Sequence, residues 1–298
     1  MEKKKKILIL GGSGLLGLNF IQKFDLNYEI LASYNLHKPN FLQYKNTRFV
    51  KLSISKNFKK LEKLVFNFKP DYVFNFLAIS EIEKCEKYKK KCKKVIFDCF
   101  KKALKISRKY NCKFVHMSTD AVYNEENKNN LETSKLGYKN YYTYLKILCE
   151  KHLAKNYSNY LILRGRFFGY SLTKKNFFEQ ILHKLKKNQK IVCYDNMFST
   201  PLNVVNFCEN LKILLEKNKK GIFNISSNKK ISRYKFAILV SQIFNLNSRL
   251  IIKKKYFLNN STTKKNFDTS INNSKIKKIN GIKIETLRKS LISLKNEK

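Results

Sequence analysis

An α/β fold, a doubly wound parallel sheet followed by a smaller C-terminal domain, is what this sequence predicts, on three observations. Short β-type runs alternate with longer helical stretches through the first half, the pattern of parallel strands joined by helices on both faces of a sheet. The first apolar run, Ile7 to Leu10, breaks at once into Gly11, Gly12, Ser13 and Gly14, as a buried strand does when it ends in a tight turn. Beyond Arg164 the rhythm becomes irregular, which marks a change of architecture.

Taken in order, the strands are expected at Lys6 to Leu10, Glu29 to Tyr34, Arg48 to Lys51, Tyr72 to Phe76, Lys113 to Ser118 and Tyr160 to Arg164. Helices are expected between them. Leu16 to Phe24 follows the glycine turn, Phe58 to Asn67 precedes Pro70, Cys92 to Tyr110 is one long amphipathic run, and Tyr141 to Asn156 is another. Later, Phe177 to Lys187, Val204 to Lys217 and Tyr234 to Phe244 read as helices, and Gly221 to Ser226 as a late strand. Lys253 to Ser274, rich in Lys, Asn, Ser and Thr, reads as loop. The expected domains are 1–163, with 204–223 returning to it, and 164–298.

Bulk properties narrow the function classes. A chain of 298 residues with 43% hydrophobic content can fill a real core, and no apolar run approaches the roughly 18 residues of a membrane helix. The lysines before Ile7 resemble a leader, but the glycine turn favours a buried first strand. A net charge of +42 suggests nucleic acid. Yet only seven of the 63 basic residues are Arg, the side chain suited to bidentate recognition, and the lysines are spread evenly, so no specific nucleic-acid partner and no membrane is expected. Seven cysteines without close pairs speak for a reducing compartment, the cytoplasm. Cys85, Cys92 and Cys99 would fall on one stripe of a helix, about 10 Å apart axially, too far for one metal ion and best read as core. The four histidines, 37, 116, 152 and 183, form no ligand pattern.

The chemistry is concentrated in a few places. Gly11, Gly14 and Gly17 open a helix directly after a strand; such glycines give a tight turn, let backbone approach a pyrophosphate and pack helix on sheet. A Rossmann-type dinucleotide site follows, with Ser13, Leu15 and Leu16 also against the cofactor. Beyond the second strand, Tyr34 to Lys38 holds no carboxylate for the ribose hydroxyls. That favours NADP, as NADPH, over NADH, with His37 or Lys38 as phosphate contacts; solvated surface is the other reading of Lys38. Small Ala78 after the fourth strand would let the cofactor pack against the sheet edge. Tyr142 and Lys146 stand four residues apart, on one face of a helix, so the ammonium can favour the ionised phenol. Tyr34 with Lys38 and Tyr170 with Lys174 share the spacing, and only position singles out Tyr142.

In their order these motifs resemble the extended short-chain dehydrogenases/reductases, specifically the dTDP-4-dehydrorhamnose reductase family. Pro70, Asp71 and Asn75 to Ala78, then Ser118 to Asp120 with Val122 and Tyr123, then Glu132, then Tyr142, Lys146 and Glu150, carry the resemblance. It continues through Leu163, Arg164 and Gly169, Ser199 to Pro201, Gly221 to Ser226, Ser232, Ala237 and Ser270 to Lys275. It implies Tyr142 as general acid, Lys146 as the residue that orients the nicotinamide ribose and lowers the phenol pKa, and Thr119 as hydrogen-bond donor to the substrate oxygen. It implies a sugar-nucleotide substrate for polysaccharide precursor synthesis, allows a homodimer, and associates magnesium with some members, whose ligands have no placed counterpart here. Related dehydratases carry a glutamate where this chain has Ala121, so reduction without loss of water is expected. Leu77, Thr143 and Phe167 depart from the family's alanine, glycine and tryptophan, and residues 95–98 lack its asparagine. The regulatory subunit of methionine adenosyltransferase, a non-catalytic dinucleotide binder, shares much of the pattern and is the alternative.

Overall fold

The structure, a computed structural model, describes residues 3–40, 43–124, 128–257, 264 and 266–297. The chain runs β1 (Lys6–Leu10), α1 (Leu15–Phe24), β2 (Glu29–Tyr34), β3 (Thr47–Lys51), α2 (Phe58–Phe68), β4 (Tyr72–Asn75), α3 (Ile82–Lys87) and α4 (Lys89–Lys93). A π-helical turn (Lys94–Asp98) leads into α5 (Cys99–Lys109), β5 (Lys113–Met117), α6 (Tyr141–Asn156) and β6 (Tyr160–Arg164). Then follow β7 (Phe167–Phe168), α7 (Phe177–Lys186), β8 (Ile191–Tyr194), β9 (Phe198–Ser199), β10 (Leu202–Asn203), α8 (Val204–Glu216) and β11 (Gly221–Asn224). The last elements are β12 (Ile231–Ser232), α9 (Arg233–Ile243), β13 (Ile251–Lys254), α10 (Ser274–Lys277) and α11 (Leu287–Asn296).

Seven strands form one sheet in the order β11-β6-β5-β4-β1-β2-β3. β1 pairs in parallel with β2 on one side and β4 on the other, so the strand order reverses there and opens a crevice at the carboxyl ends. Sequence explains the central position of β1: Ile7, Leu8, Ile9 and Leu10 are each 0% exposed, the continuous apolar run of a strand covered on both faces. Local chemistry sets the helix ends. Asn57 caps α2 by accepting the Lys60 N–H at 3.1 Å, and the helix stops at Lys69, left-handed at φ 50°, just before Pro70. The doubly wound α/β fold is therefore the one expected.

Contacts divide the chain into two compact units, residues 1–118, 140–163 and 218–222, and residues 119–139, 164–217 and 223–298. In the first, a core of aliphatic and aromatic side chains from β1, β4, α2, α5 and α6 includes Leu8, Val73, Phe100, Leu145 and Leu153. In the second, Phe178, Ile181, Val240, Ile251 and Leu291 join α7, α9, β13 and α11. Helix α8 groups with the second unit, and of 204–223 only the stretch 218–222 groups with the first. Asn206 and Asn210 of α8 both donate to the Lys283 carbonyl, at 2.9 and 3.1 Å. Among the described residues no helix is long and apolar enough to cross a membrane.

The long helix expected from Cys92 to Tyr110 is interrupted. Between α4 and α5 the π turn widens the coil, and the Cys149 thiol of α6 donates to its Ile96 carbonyl at 3.4 Å. Tyr88 leaves helical geometry at φ −121°, ψ 55°, so Cys85 sits on α3 and Cys92 on α4 rather than on one stripe. All seven cysteines are buried and free, as a core reading requires. Burial pushes the thiols up, Cys99, Cys112 and Cys193 to about 11 and Cys149 to about 12.

Candidate active site

In the first unit the glycine turn lies at the reversal of strand order. Gly11 has φ +92°, a conformation that strains any side chain. A Cβ on Gly17 would stand 2.5 Å from the Gly11 carbonyl oxygen and 2.8 Å from the Gly12 Cα, so α1 reaches its place only with glycine there. Gly14 is the N-cap of α1 and contributes no side-chain bond, which leaves the helix start the form that an anion takes. Ser33, at the end of β2, fixes the turn: its hydroxyl accepts the Gly11 N–H at 3.1 Å and its carbonyl the Gly12 N–H at 2.8 Å. Ser33 carried no distinguishing signal in the sequence.

The remaining cofactor candidates surround this turn. A Cβ on Gly11 would meet the backbone of Phe76 at 3.1 Å, so the turn abuts the segment leading to Ala78, which is exposed. His37 and Lys38 are exposed just beyond β2, the strand beside β1. Ser13, Leu15 and Leu16 occupy the turn and the first residues of α1.

The catalytic candidates of this unit stand on α6. Asn140 caps the helix by accepting the Thr143 N–H at 3.0 Å, and the Glu86 carboxylate of α3 accepts the Tyr141 N–H at 2.6 Å, so the start of the helix is well anchored. The pair predicted from spacing is brought together: the Lys146 Nζ lies 5.9 Å from the Tyr142 ring centroid. Lys146 is 2% exposed and donates to the Met117 carbonyl at 2.7 Å. Burial pushes its pKa down, while Cys149, Glu150 and Cys85 push it back up. One residue beyond Met117, the Ser118 hydroxyl donates to Glu150. His116, fully buried and facing the same ammonium, has its pKa pushed well down by burial and then by Lys146.

The second unit holds Thr119. It caps a short turn, with its Oγ1 accepting the Ala121 N–H at 3.3 Å and donating to Asp120 Oδ1 at 3.1 Å. Asp120, 2% exposed, also accepts from Arg166 Nε at 2.8 Å and Nη2 at 3.3 Å, and from Thr269 at 2.8 Å. Such a fully bonded buried carboxylate is fixed in place. No spacing rule links 120, 166 and 269, and these partners were not legible in the sequence. Nearby, Arg164, 2% exposed, donates through Nη1 to the Tyr123 hydroxyl at 2.8 Å and the Glu132 carbonyl at 3.0 Å. Tyr123 in turn donates to Asn224 at 2.6 Å, and the Glu132 carboxylate accepts the Asn224 N–H at 2.9 Å.

With this geometry in view the comparisons are specific. A spore coat polysaccharide biosynthesis protein, SpsK, of Bacillus subtilis (strain 168) is 24% identical over 249 residues, 83% of this chain and 82% of that protein. A hypothetical dTDP-4-dehydrorhamnose reductase from Sulfolobus tokodaii is 25% identical, with a TM-score of 0.83 over 95% of this chain and 97% of that one. The dTDP-4-dehydrorhamnose reductase of Bacillus anthracis str. Ames, solved in complex with NADP, is 16% identical with a TM-score of 0.87, covering 99% and 100%. At that identity the likeness shows the fold. Residues 5–297 match the sequence pattern of the RmlD substrate binding domain, and the chain accordingly belongs to that family.

Proposed function

We propose that this chain is an NADP-dependent oxidoreductase that reduces the ketone of a 4-keto-6-deoxy sugar nucleotide, as in dTDP-4-dehydrorhamnose reduction. The carrying observation is the Tyr142–Lys146 pair: the lysine is buried and bonded to Met117 at the end of β5, two residues before Thr119, on the strand ends where α/β sheets bind ligands. The Gly11–Gly17 cradle, which a Cβ would fill, suits a dinucleotide, and bound NADPH supplies a hydride. His37 or Lys38 is the contact for its 2′-phosphate, with Ala78 where the cofactor packs on the sheet edge and Lys146 on the nicotinamide ribose.

Each residue then has a task. Tyr142 gives its phenolic proton to the oxygen on which charge develops, and the Lys146 ammonium beside it stabilises the phenolate left behind. Thr119 donates a hydrogen bond to the same oxygen. In the structure its hydroxyl donates to Asp120, which Arg166 and Thr269 also satisfy. Ala121, after Asp120, offers no second acid for dehydration. Among the described residues no group of three or more His, Cys, Asp or Glu could hold a metal ion, and no step here uses magnesium.

Purified protein given NADPH and dTDP-4-dehydrorhamnose is expected to oxidise the cofactor; absence of turnover with a panel of 4-keto sugar nucleotides, together with a stably co-purifying partner enzyme, would favour a regulatory role. Gly17→Ala is expected to weaken NADPH binding at least tenfold, about 1.4 kcal/mol, because the added methyl collides with Gly11 and Gly12. A fluorescence titration reads this directly. Unchanged affinity would place the cofactor elsewhere.

A further inference from the structure

We propose that Glu150 is a positioning residue whose carboxylate holds Lys146 in its charged form, so that the state of the Tyr142–Lys146 pair depends on a third residue one turn further along α6. The inference rests on the reductase reading for its catalytic consequence and on geometry for its premise. Tyr142, Lys146 and Glu150 are spaced at i, i+4 and i+8, one face of one helix. Lys146 and Glu150 are also fastened to adjacent residues of the strand end, the ammonium to the Met117 carbonyl at 2.7 Å and the carboxylate to the Ser118 hydroxyl. Adjacent residues are about 3.8 Å apart along the chain, so ammonium and carboxylate are tethered to the same stretch of backbone.

Burial makes the pairing consequential. Both side chains are 2% exposed, and an ammonium out of water becomes neutral unless a charge opposes it. The Met117 carbonyl is only a dipole. The titratable groups facing Lys146 from the packed elements are Cys85 on α3, His116 on β5, and Cys149 and Glu150 on α6 itself, with the Tyr142 ring alongside. Cys92 on α4 lies behind Cys85. The thiols of Cys85 and Cys149 are pushed up by burial and stay protonated, and His116 is held neutral. Glu150 is thus the carboxylate of that set, the acid placed to oppose the ammonium.

Glu150→Gln keeps the shape and an oxygen for Ser118 while removing the charge. The folded lysine, already pushed below its ordinary value, then falls further. For a lysine depressed in the folded state, the protonated form is penalised at low pH and the penalty is relieved as pH rises from the folded to the unfolded pKa. The deficit of Glu150→Gln in Tm is therefore expected to be largest near pH 6.5, at roughly 5 °C or more, and to shrink by at least half toward pH 9.5. Ser118→Ala, which removes the tether and keeps the charge, is expected to show a deficit that does not change with pH. Adding Lys146→Met to Glu150→Gln removes the stranded ammonium and is expected to recover Tm, even should the single variant fold poorly. With NADPH and the keto sugar, the alkaline fall of kcat for Glu150→Gln is expected about one pH unit lower than in the wild type, with near-normal rates at pH 6. A pH-independent Tm deficit in Glu150→Gln, or no recovery in the double variant, would overturn the proposal. The stability measurements need no turnover, so an inactive wild type would refute the reductase reading alone.

Discussion

Tyr142→Phe is expected to lower kcat for ketone reduction by about 10²–10⁴-fold, the usual worth of a positioned general acid, with little change in NADPH affinity or Tm. The ring packs against the core of the first unit, and phenylalanine preserves that contact, so the loss isolates the hydroxyl. The sign of the pH dependence follows from the role. Reduction consumes the phenolic proton, so the wild-type rate falls as pH rises through the phenol pKa, and a Lys146 ammonium that lowers this pKa moves the fall toward neutrality. Single-turnover NADPH oxidation followed at 340 nm checks the chemical step apart from product release. Wild-type rates in Tyr142→Phe would remove Tyr142 from the mechanism and leave Thr119 or water to supply the proton.

The second large effect is on stability. Arg164→Ala is expected to cost about 3–5 kcal/mol, a fall in Tm on the order of 10 °C for a protein of this size. The guanidinium is 2% exposed and stands 4.8 Å from the Tyr123 ring centroid. Its removal empties a side-chain-sized space and strips the Glu132 carbonyl and Tyr123 hydroxyl of their donor. Lysine is not expected to rescue, because one ammonium cannot reproduce the planar fork that also stacks on the ring. Thermal and urea unfolding read this directly. A loss below about 1 kcal/mol would mean that water replaces the arginine at small cost.

What the sequence revealed and what it hid divide by distance along the chain. The glycine turn and the Tyr142–Lys146 face were legible because their partners lie within one strand-turn-helix or one helix, where spacing fixes geometry. The strands at Lys6, Glu29, Tyr72, Lys113 and Tyr160 begin where expected, at their apolar runs or one residue before them. The pairing of Asp120 with Arg166 and Thr269 spans 46 and 149 residues, and no local rule reaches so far. Helix α11 was not among the expected helices although Leu287, Leu291 and Leu294 recur at helical spacing after the Thr286 cap, and β13 was hidden at the edge of a polar stretch expected to be loop, because it takes its register from β8 rather than from its own alternation. The π turn was hidden as well: Lys94–Asp98 reads as ordinary helix until the thiol of Cys149 claims a carbonyl from another element.

The seven buried thiols also serve as an internal clock. A maleimide or disulfide reagent attacks thiolate at a solvent-reachable sulfur, and here every sulfur is shielded while burial raises the pKa of Cys99, Cys112, Cys149 and Cys193. Native protein is therefore expected to resist alkylation, and opening of a unit is expected to release a countable set of thiols, Cys85, Cys92, Cys99, Cys112 and Cys149 in one and Cys193 with Cys208 in the other. Mass spectrometry of timed labelling would show which unit breathes first, without an added probe.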